Sequence, residues 1–245
     1  FKLDIQVISG EIENTSEEQT EVKPNDELVE QIREKLAFKY ERSELASFAS
    51  KRTASTLDEK EQSYRFFATS KPAFLNESGM TAAEKGTAMH AFMQYCDYSN
   101  AKSDLESEIA RLTDNGYIMP EQAKSLSRDK LKTLFESDFA SRMFNADKIY
   151  REIKVSSYVP VNQIEDTQYT DTVLIQGIAD CVFEENGELV LVDYKTDRVS
   201  CEEELLDLYK NQIAFYRNAV EKTLKKPLKE AVLYSFALNK ICIYK

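Results

Sequence analysis

The chain has 245 residues, with 32 Lys and Arg against 43 Asp and Glu, one His, four Cys and no Trp. That length can bury one large core, and 42% apolar with 31% charged residues marks a globular protein and excludes a disordered tail. No apolar run approaches the roughly 20 residues needed to cross a bilayer, and no secretory leader opens the chain.

Cys96, Cys181, Cys201 and Cys242 are widely spaced and form no C-x-x-C pair. This argues against a zinc ribbon or an iron–sulfur cluster, and a reduced, cytoplasmic compartment is expected. None of the six glycines stands in a phosphate-binding loop, so no ATP site is expected in this chain. The opening Phe, in place of Met, is expected of a piece of a longer polypeptide. A net charge of −11 counts against a nucleic-acid partner, but residues 1–30 carry nine of the acidic residues and only two basic ones. The body of the chain is close to balance.

In chain order, Phe1 to Gly10 alternates apolar and polar residues as a strand does, and Glu11 to Lys23 reads as an acidic linker. A helix is predicted after Pro24-Asn25-Asp26, with Leu28, Ile32 and Leu36 on one stripe. Residues 1–30 are thus expected to be the end of an upstream region, and 31–245 the main domain. Thr81-Ala-Ala-Glu84 is a capping box that starts a helix running to about Cys96, with His90 in its middle. Gly86, one turn earlier, leaves room beside His90 for a backbone or a ligand. Residues 101–145 read as short helices broken at Asn115-Gly116 and Pro120, a helical insertion. Lys148 to Pro160 is β-rich. Val173 to Phe183 and Glu188 to Lys195 flank Asn186-Gly187, a hairpin signal. One long helix is predicted over Glu202–Lys225, then strands around Ala231–Phe236 and Ile241–Tyr244.

A two-residue turn at Asn186-Gly187 sets Glu185 opposite Glu188, and by the same register Asp180 opposite Asp193. Facing positions have Cβ atoms about 4.5–5.5 Å apart, where like charges repel. A divalent cation is the simplest remedy, and magnesium suits a two-carboxylate site completed by water. Lys195 lies on the same face as Asp193, placed to act on water or on phosphate charge; an Asp180–Lys195 ion pair is the simpler alternative. His90 is either a third metal ligand or a satisfied helix residue. Gln212 and Tyr216 share a helix face, either to orient DNA or as rim and core. Glu152 is a pocket carboxylate or an outward strand residue.

Taken in order, Ala82–Gln94, Arg151-Glu152, Gln176-Gly-Ile-Ala-Asp180, Leu191-Val-Asp-Tyr-Lys-Thr-Asp197 and Gln212-Ile-Ala-Phe-Tyr216 resemble the RecB-like branch of the PD-(D/E)XK nucleases. The likeness is closest to the C-terminal nuclease domains of AddA-type helicase–nucleases. It implies an α/β fold, a mixed central sheet flanked by helices with a restriction-endonuclease-like core. It also implies a metal site from His90, Asp180, Asp193 and the main-chain carbonyl of Tyr194, with Lys195 as catalytic lysine. Gln212 and Tyr216 then fall in a motif attributed to DNA orientation, and Glu152 in a less certain one. Magnesium, or manganese in its place, is the implied cofactor. The implied partners are DNA ends, helicase domains upstream in the same polypeptide and an AddB-type subunit, with no membrane. The AddB-type subunit carries a four-cysteine iron–sulfur signature that this chain lacks, and residues 1–10 become the last strand of the upstream region. The implied activity is metal-dependent exonucleolytic hydrolysis of DNA at double-strand ends during recombinational repair. A non-catalytic DNA-end-binding or protein-docking module with the same fold is the alternative.

Overall fold

Asn186 and Gly187 both take positive φ, 54° and 82°, as a two-residue hairpin turn requires. In the computed structural model, which describes residues 25–38, 43–58 and 80–244, the flanking strands pair from Glu185↔Glu188 to Cys181↔Val192. The register is the one the turn length dictates; the ladder ends at Cys181↔Val192, and just beyond it the Tyr194 amide donates to the Asp180 side chain. The expected strand at 1–10 and linker at 11–23 lie outside the described residues.

The chain divides into two compact units, 1–47 and 48–245. In the first, helix α1 (Asp26–Ala37) is capped by the Asn25 side chain, and Leu28, Ile32 and Leu36 are exposed along it. In the second, six strands form one mixed sheet: β1 (Lys51–Thr53), β2 (Lys148–Pro160), β3 (Thr172–Glu185), β4 (Glu188–Lys195), β5 (Leu228–Ser235) and β6 (Lys240–Tyr244). The predicted mixed α/β architecture is the one observed.

Strand β3 organises the site. One of its edges pairs antiparallel with β2 along nearly its whole length. The other edge is shared, with β1 parallel at Leu174–Gln176 and β4 antiparallel at Cys181–Glu185. Between these partners, Gly177 to Asp180 has no strand beside it on that edge among the described residues. Strand β4 meanwhile continues past Val192 alongside β5, up to Lys195↔Ser235. The sheet therefore forks at Asp180 and Asp193.

Strand β4 is apolar almost throughout because both faces are covered. Val190, Val192 and Tyr194 join a core with α2 (Ala82–Tyr95) and the helical insertion: α3 (Tyr98–Ser103), α4 (Leu105–Asp114), α5 (Pro120–Ser125), α6 (Arg128–Phe135) and α7 (Asp138–Phe144). Leu189 and Leu191 face the other core, under α8 (Glu202–Leu208) and α9 (Lys210–Leu224). By the period of two, Asp193 and Lys195 point to the α9 side.

The predicted single helix over Glu202–Lys225 is in fact two. Tyr209, at φ −127° and ψ 16°, breaks it. The break is stabilised from outside the helix: the Tyr209 hydroxyl donates to Asp197 Oδ2 at 2.7 Å, and its ring lies under the Lys195 ammonium.

Arg142 on α7 fastens the insertion to the sheet. Its guanidinium donates to both oxygens of Glu185 (3.0 and 2.8 Å) and both of Glu230 (3.0 and 3.2 Å), and Lys229 adds a further bond to Glu185 at 3.0 Å. These bonds, Arg142 first, hold the Glu185 carboxyl down at about 2. A depressed carboxylate stabilises the fold fully above its unfolded value and loses that contribution as pH falls towards its folded one. Glu185→Gln should therefore lower stability by roughly 2 kcal/mol at pH 7, with the deficit vanishing between about pH 4.5 and 2. Urea melts of both chains across that range measure it.

Candidate active site

His90 reaches the fork from helix α2. The capping box forms as predicted, with Glu84 N–H donating to Thr81 Oγ1 at 3.2 Å and Thr81 N–H to Glu84 Oε2 at 2.6 Å. Gly86 is buried, and a Cβ there would stand 2.8 Å from Thr196 Oγ1. The room beside His90's helix is thus filled by the residue after Lys195. At the far end of α2, Arg151 donates to the carbonyls of Gln94 (2.9 Å) and Cys96 (2.6 Å). Both ends of the helix are tied to the strands that carry the carboxylates.

The carboxylates of the fork divide their partners. Asp180 Oδ2 accepts the Tyr194 amide at 2.8 Å and lies 3.4 Å from His90 Nδ1. Burial alone would raise Asp180, but the His90 hydrogen bond and charge, with the Tyr194 amide, bring it below the usual carboxylate value. Burial disfavours the His90 imidazolium, yet Asp180 outweighs it and the histidine is raised. Asp193, only 3% exposed, is pushed up by burial; the Lys195 charge opposes this more strongly than the Asp180 charge adds to it, but does not cancel the effect of burial. Its Oδ2 stands 2.7 Å from Lys195 Nζ, close enough for charge pairing but without an aligned hydrogen bond. The simpler Asp180–Lys195 pairing is not what forms.

Lys195 is held on three sides. Beyond Asp193, its Nζ donates to Gln212 Oε1 at 3.0 Å and sits 3.8 Å from the centre of the Tyr209 ring. Gln212 and Tyr216 are both buried. Tyr216 packs against Gly177 in the gap left on β3, and burial pushes its hydroxyl up to about 12. It takes the place of a missing strand neighbour. The phenol also lines a cavity of about 520 Å³ with Thr53, Ser55, Lys154, Gln176 and Gly177.

Glu152 faces the fork. It has φ +51°, a left-handed conformation that is uncommon outside glycine. The β2–β3 pairing passes from Arg151↔Cys181 to Ile153↔Ala179, so Glu152 stands across from Asp180. Burial first, and then the Asp180 charge, raises its pKa, with His90 opposing. Strain of this kind costs about 1–3 kcal/mol. Glu152→Gly should therefore be more stable than Glu152→Ala by about 1 kcal/mol, because glycine alone accepts the backbone freely. Equal melting temperatures for the two variants would contradict this.

Two oxygen-rich carboxylates, an imidazole and the adjoining Tyr194 main chain make a donor set that fits a hard divalent cation. The buried Asp193 Oδ2, lacking an aligned donor, points the same way. Among the described residues, no three His, Cys, Asp or Glu side chains are gathered at ligating spacing. Asp193 is turned to Lys195 instead. Two neighbours had no role in the sequence reading: Tyr209, treated only as core, and Asp58, whose carboxylate accepts the amides of Asn211 and Gln212. Spacing carried no signal for Asp58, which lies 153 residues before Asn211.

The forked mixed sheet thus carries Asp180, Asp193 and Lys195 at its fork. The chain belongs to the PD-(D/E)XK nuclease superfamily, whose sequence profile matches residues 53–241. It is similar to AddA, the ATP-dependent helicase/nuclease subunit of Clostridium botulinum (strain Loch Maree / Type A3), 35% identical over 227 residues, 86% of this chain and 18% of that protein. The protein of the same name from Clostridium kluyveri (strain ATCC 8527 / DSM 555 / NBRC 12016 / NCIMB 10680 / K1) is 39% identical over 179 residues, 70% of this chain and 14% of its own. That from Ruminiclostridium cellulolyticum (strain ATCC 35319 / DSM 5812 / JCM 6584 / H10) is 31% identical over 229 residues, 86% and 18%. This chain thus spans less than a fifth of these relatives. The crystal structure of SSO0001 superposes with a TM-score of 0.38 at 15% identity, covering 89% of this chain and 73% of that one. Among the described residues no helix is long and apolar enough to cross a membrane.

Proposed function

We propose that residues 31–245 are the nuclease domain of a longer, cytoplasmic ATP-dependent helicase–nuclease. In this reading it hydrolyses DNA phosphodiester bonds exonucleolytically at double-strand ends during recombinational repair. The observation that carries it is the meeting of His90, Asp180, Asp193 and Lys195 at one fork of the sheet. The name of the relatives supports the wider assignment. The proposed partners are helicase domains upstream in the same polypeptide and an AddB-type subunit.

His90, Asp180, Asp193 and the Tyr194 carbonyl would hold magnesium, or manganese in its place. A divalent cation there supplies Lewis acidity toward water and offsets phosphate charge. Lys195, held by Gln212 and Tyr209, presents an ammonium to the attacking water or to the charge that grows on the phosphate. Asp180 keeps its carboxylate ionised through His90 and the Tyr194 amide. Tyr216 borders the cavity along β3, and with Gln212, one turn earlier on α9, would orient the strand beside the fork. Glu152 adds a third carboxylate opposite Asp180.

The test is cleavage by this chain alone, together with calorimetry in magnesium and manganese. Single strands should be cut at low salt, unaffected by ATP, and Asp193→Ala should lose both metal binding and cleavage. DNA binding that persists without any metal-dependent cleavage would establish the non-catalytic docking module instead. ATP-stimulated digestion by this chain alone would also overturn the reading.

A further inference from the structure

Helix α9 begins without a cap of its own. Tyr209 stands at the N-cap position and its side chain makes no capping bond. The first amides of a helix need acceptors, and a carboxylate there is favoured by the helix dipole as well. That acceptor comes from the short segment after β1: the two Asp58 oxygens take the Asn211 amide at 3.1 Å and the Gln212 amide at 2.9 Å. The residue whose amide is bound by one oxygen is the residue whose side chain reaches the lysine. Gln212 Oε1 accepts from Lys195 Nζ at 3.0 Å.

We propose that Asp58 is a positioning residue for Lys195, acting through Gln212. The proposal rests on the reading of Lys195 as the catalytic lysine. A lysine has a long, flexible stem and a strongly hydrated head, so a defined ammonium position must be imposed by its neighbours. Here Nζ is divided between the Asp193 carboxylate at 2.7 Å and the Gln212 carbonyl at 3.0 Å. Charge favours Asp193. If the first turn of α9 frays, Gln212 withdraws and the ammonium settles on Asp193, neutralising the carboxylate and leaving the position from which it serves the phosphate. Asp58 prevents that by fixing the backbone of Gln212.

Asparagine can cap a helix and alanine does not, so the test compares Asp58→Ala with Asp58→Asn in the full chain. Asp104→Ala serves as control, because Asp104 caps α4 in the insertion through a like bond from the Ser107 amide at 3.0 Å. Hydrogen exchange at the Asn211 and Gln212 amides reports the cap without any cleavage. Asp58→Ala should speed their exchange by about 10-fold or more. It should also lower kcat by about 10-fold at saturating metal and DNA, with KM and metal affinity within about two-fold of the parent. Asp58→Asn keeps one acceptor oxygen for two amides, so it should fall between Asp58→Ala and the parent in both exchange and kcat. Asp104→Ala should match the loss of thermal stability while keeping parental kcat. Unchanged exchange in Asp58→Ala would remove the cap from the account. Faster exchange with parental kcat, or a loss confined to DNA affinity, would leave Asp58 a structural cap only and overturn the proposal. A parent chain with no metal-dependent cleavage would instead remove the nuclease reading beneath it.

Discussion

Lys195→Met should lower the cleavage rate at saturating metal by about 10²–10³-fold, the loss expected when one preorganised group is removed from a developing oxyanion. The more informative result lies in stability. Without metal, Lys195 is the charge partner of a carboxylate that is almost wholly buried. Removing the ammonium leaves Asp193 facing Asp180 with no cation between them, and breaking a buried pair from one side costs about 3–5 kcal/mol. Added magnesium or manganese should return much of this, because the competitor for Asp193 has gone. The variant should therefore melt well below the parent without metal, and its rise in Tm on adding metal should exceed the parent's. Thermal melts with and without each cation, beside single-turnover cleavage, make the comparison. A metal-induced shift no larger than the parent's would show that Lys195 and the cation do not compete for this carboxylate.

The part of the site that was legible in the sequence is the part fixed by local rules. Asn186-Gly187 demands a two-residue turn, so the register from Glu185↔Glu188 to Cys181↔Val192, which ends one step short of Asp180 and Asp193, follows from counting. The capping box at Thr81 needs only four residues and fixes where α2 starts. What relieves the carboxylates was not legible, since the expected cation is only one way to offset like charges. The protein supplies a second: His90 and the Tyr194 amide serve Asp180, and Lys195 serves Asp193. The meeting of His90 and Asp180 depends on helix packing across the sheet, which no spacing encodes. The break at Tyr209 was missed for the same reason, because its stabilising partners Asp197 and Lys195 come from the end of β4 and the turn after it. Glu152's positive φ was also invisible, since its side chain gives no hint of the conformation.

Gly177→Ala carries the second large effect expected, and it separates two roles of Tyr216. An added Cβ would lie 2.5 Å from Tyr216 Cε1, 3.0 Å from its hydroxyl and 2.9 Å from the Ala54 Cβ. Neither residue can move freely, because Tyr216 and Ala54 are both buried. Overpacking of this kind costs about 1–3 kcal/mol, and the upper end is expected here. The ring is the easier to displace, and moving it disturbs α9 one turn from Gln212, which holds Lys195. Cleavage should therefore fall by about 10-fold or more beyond what the lost stability explains. In a Tyr216→Ala background the new methyl has the space the ring vacated, so the stability cost of Gly177→Ala should shrink by about 1–2 kcal/mol in a double-mutant cycle. Cleavage should not recover with it, because the hydroxyl is gone. Measuring kcat and single-strand affinity for all four chains divides the roles: a loss in kcat alone makes Tyr216 a support of the lysine, and a matching loss in affinity makes it a contact for DNA. The burial of Tyr216, one turn from Gln212 on α9, favours the first.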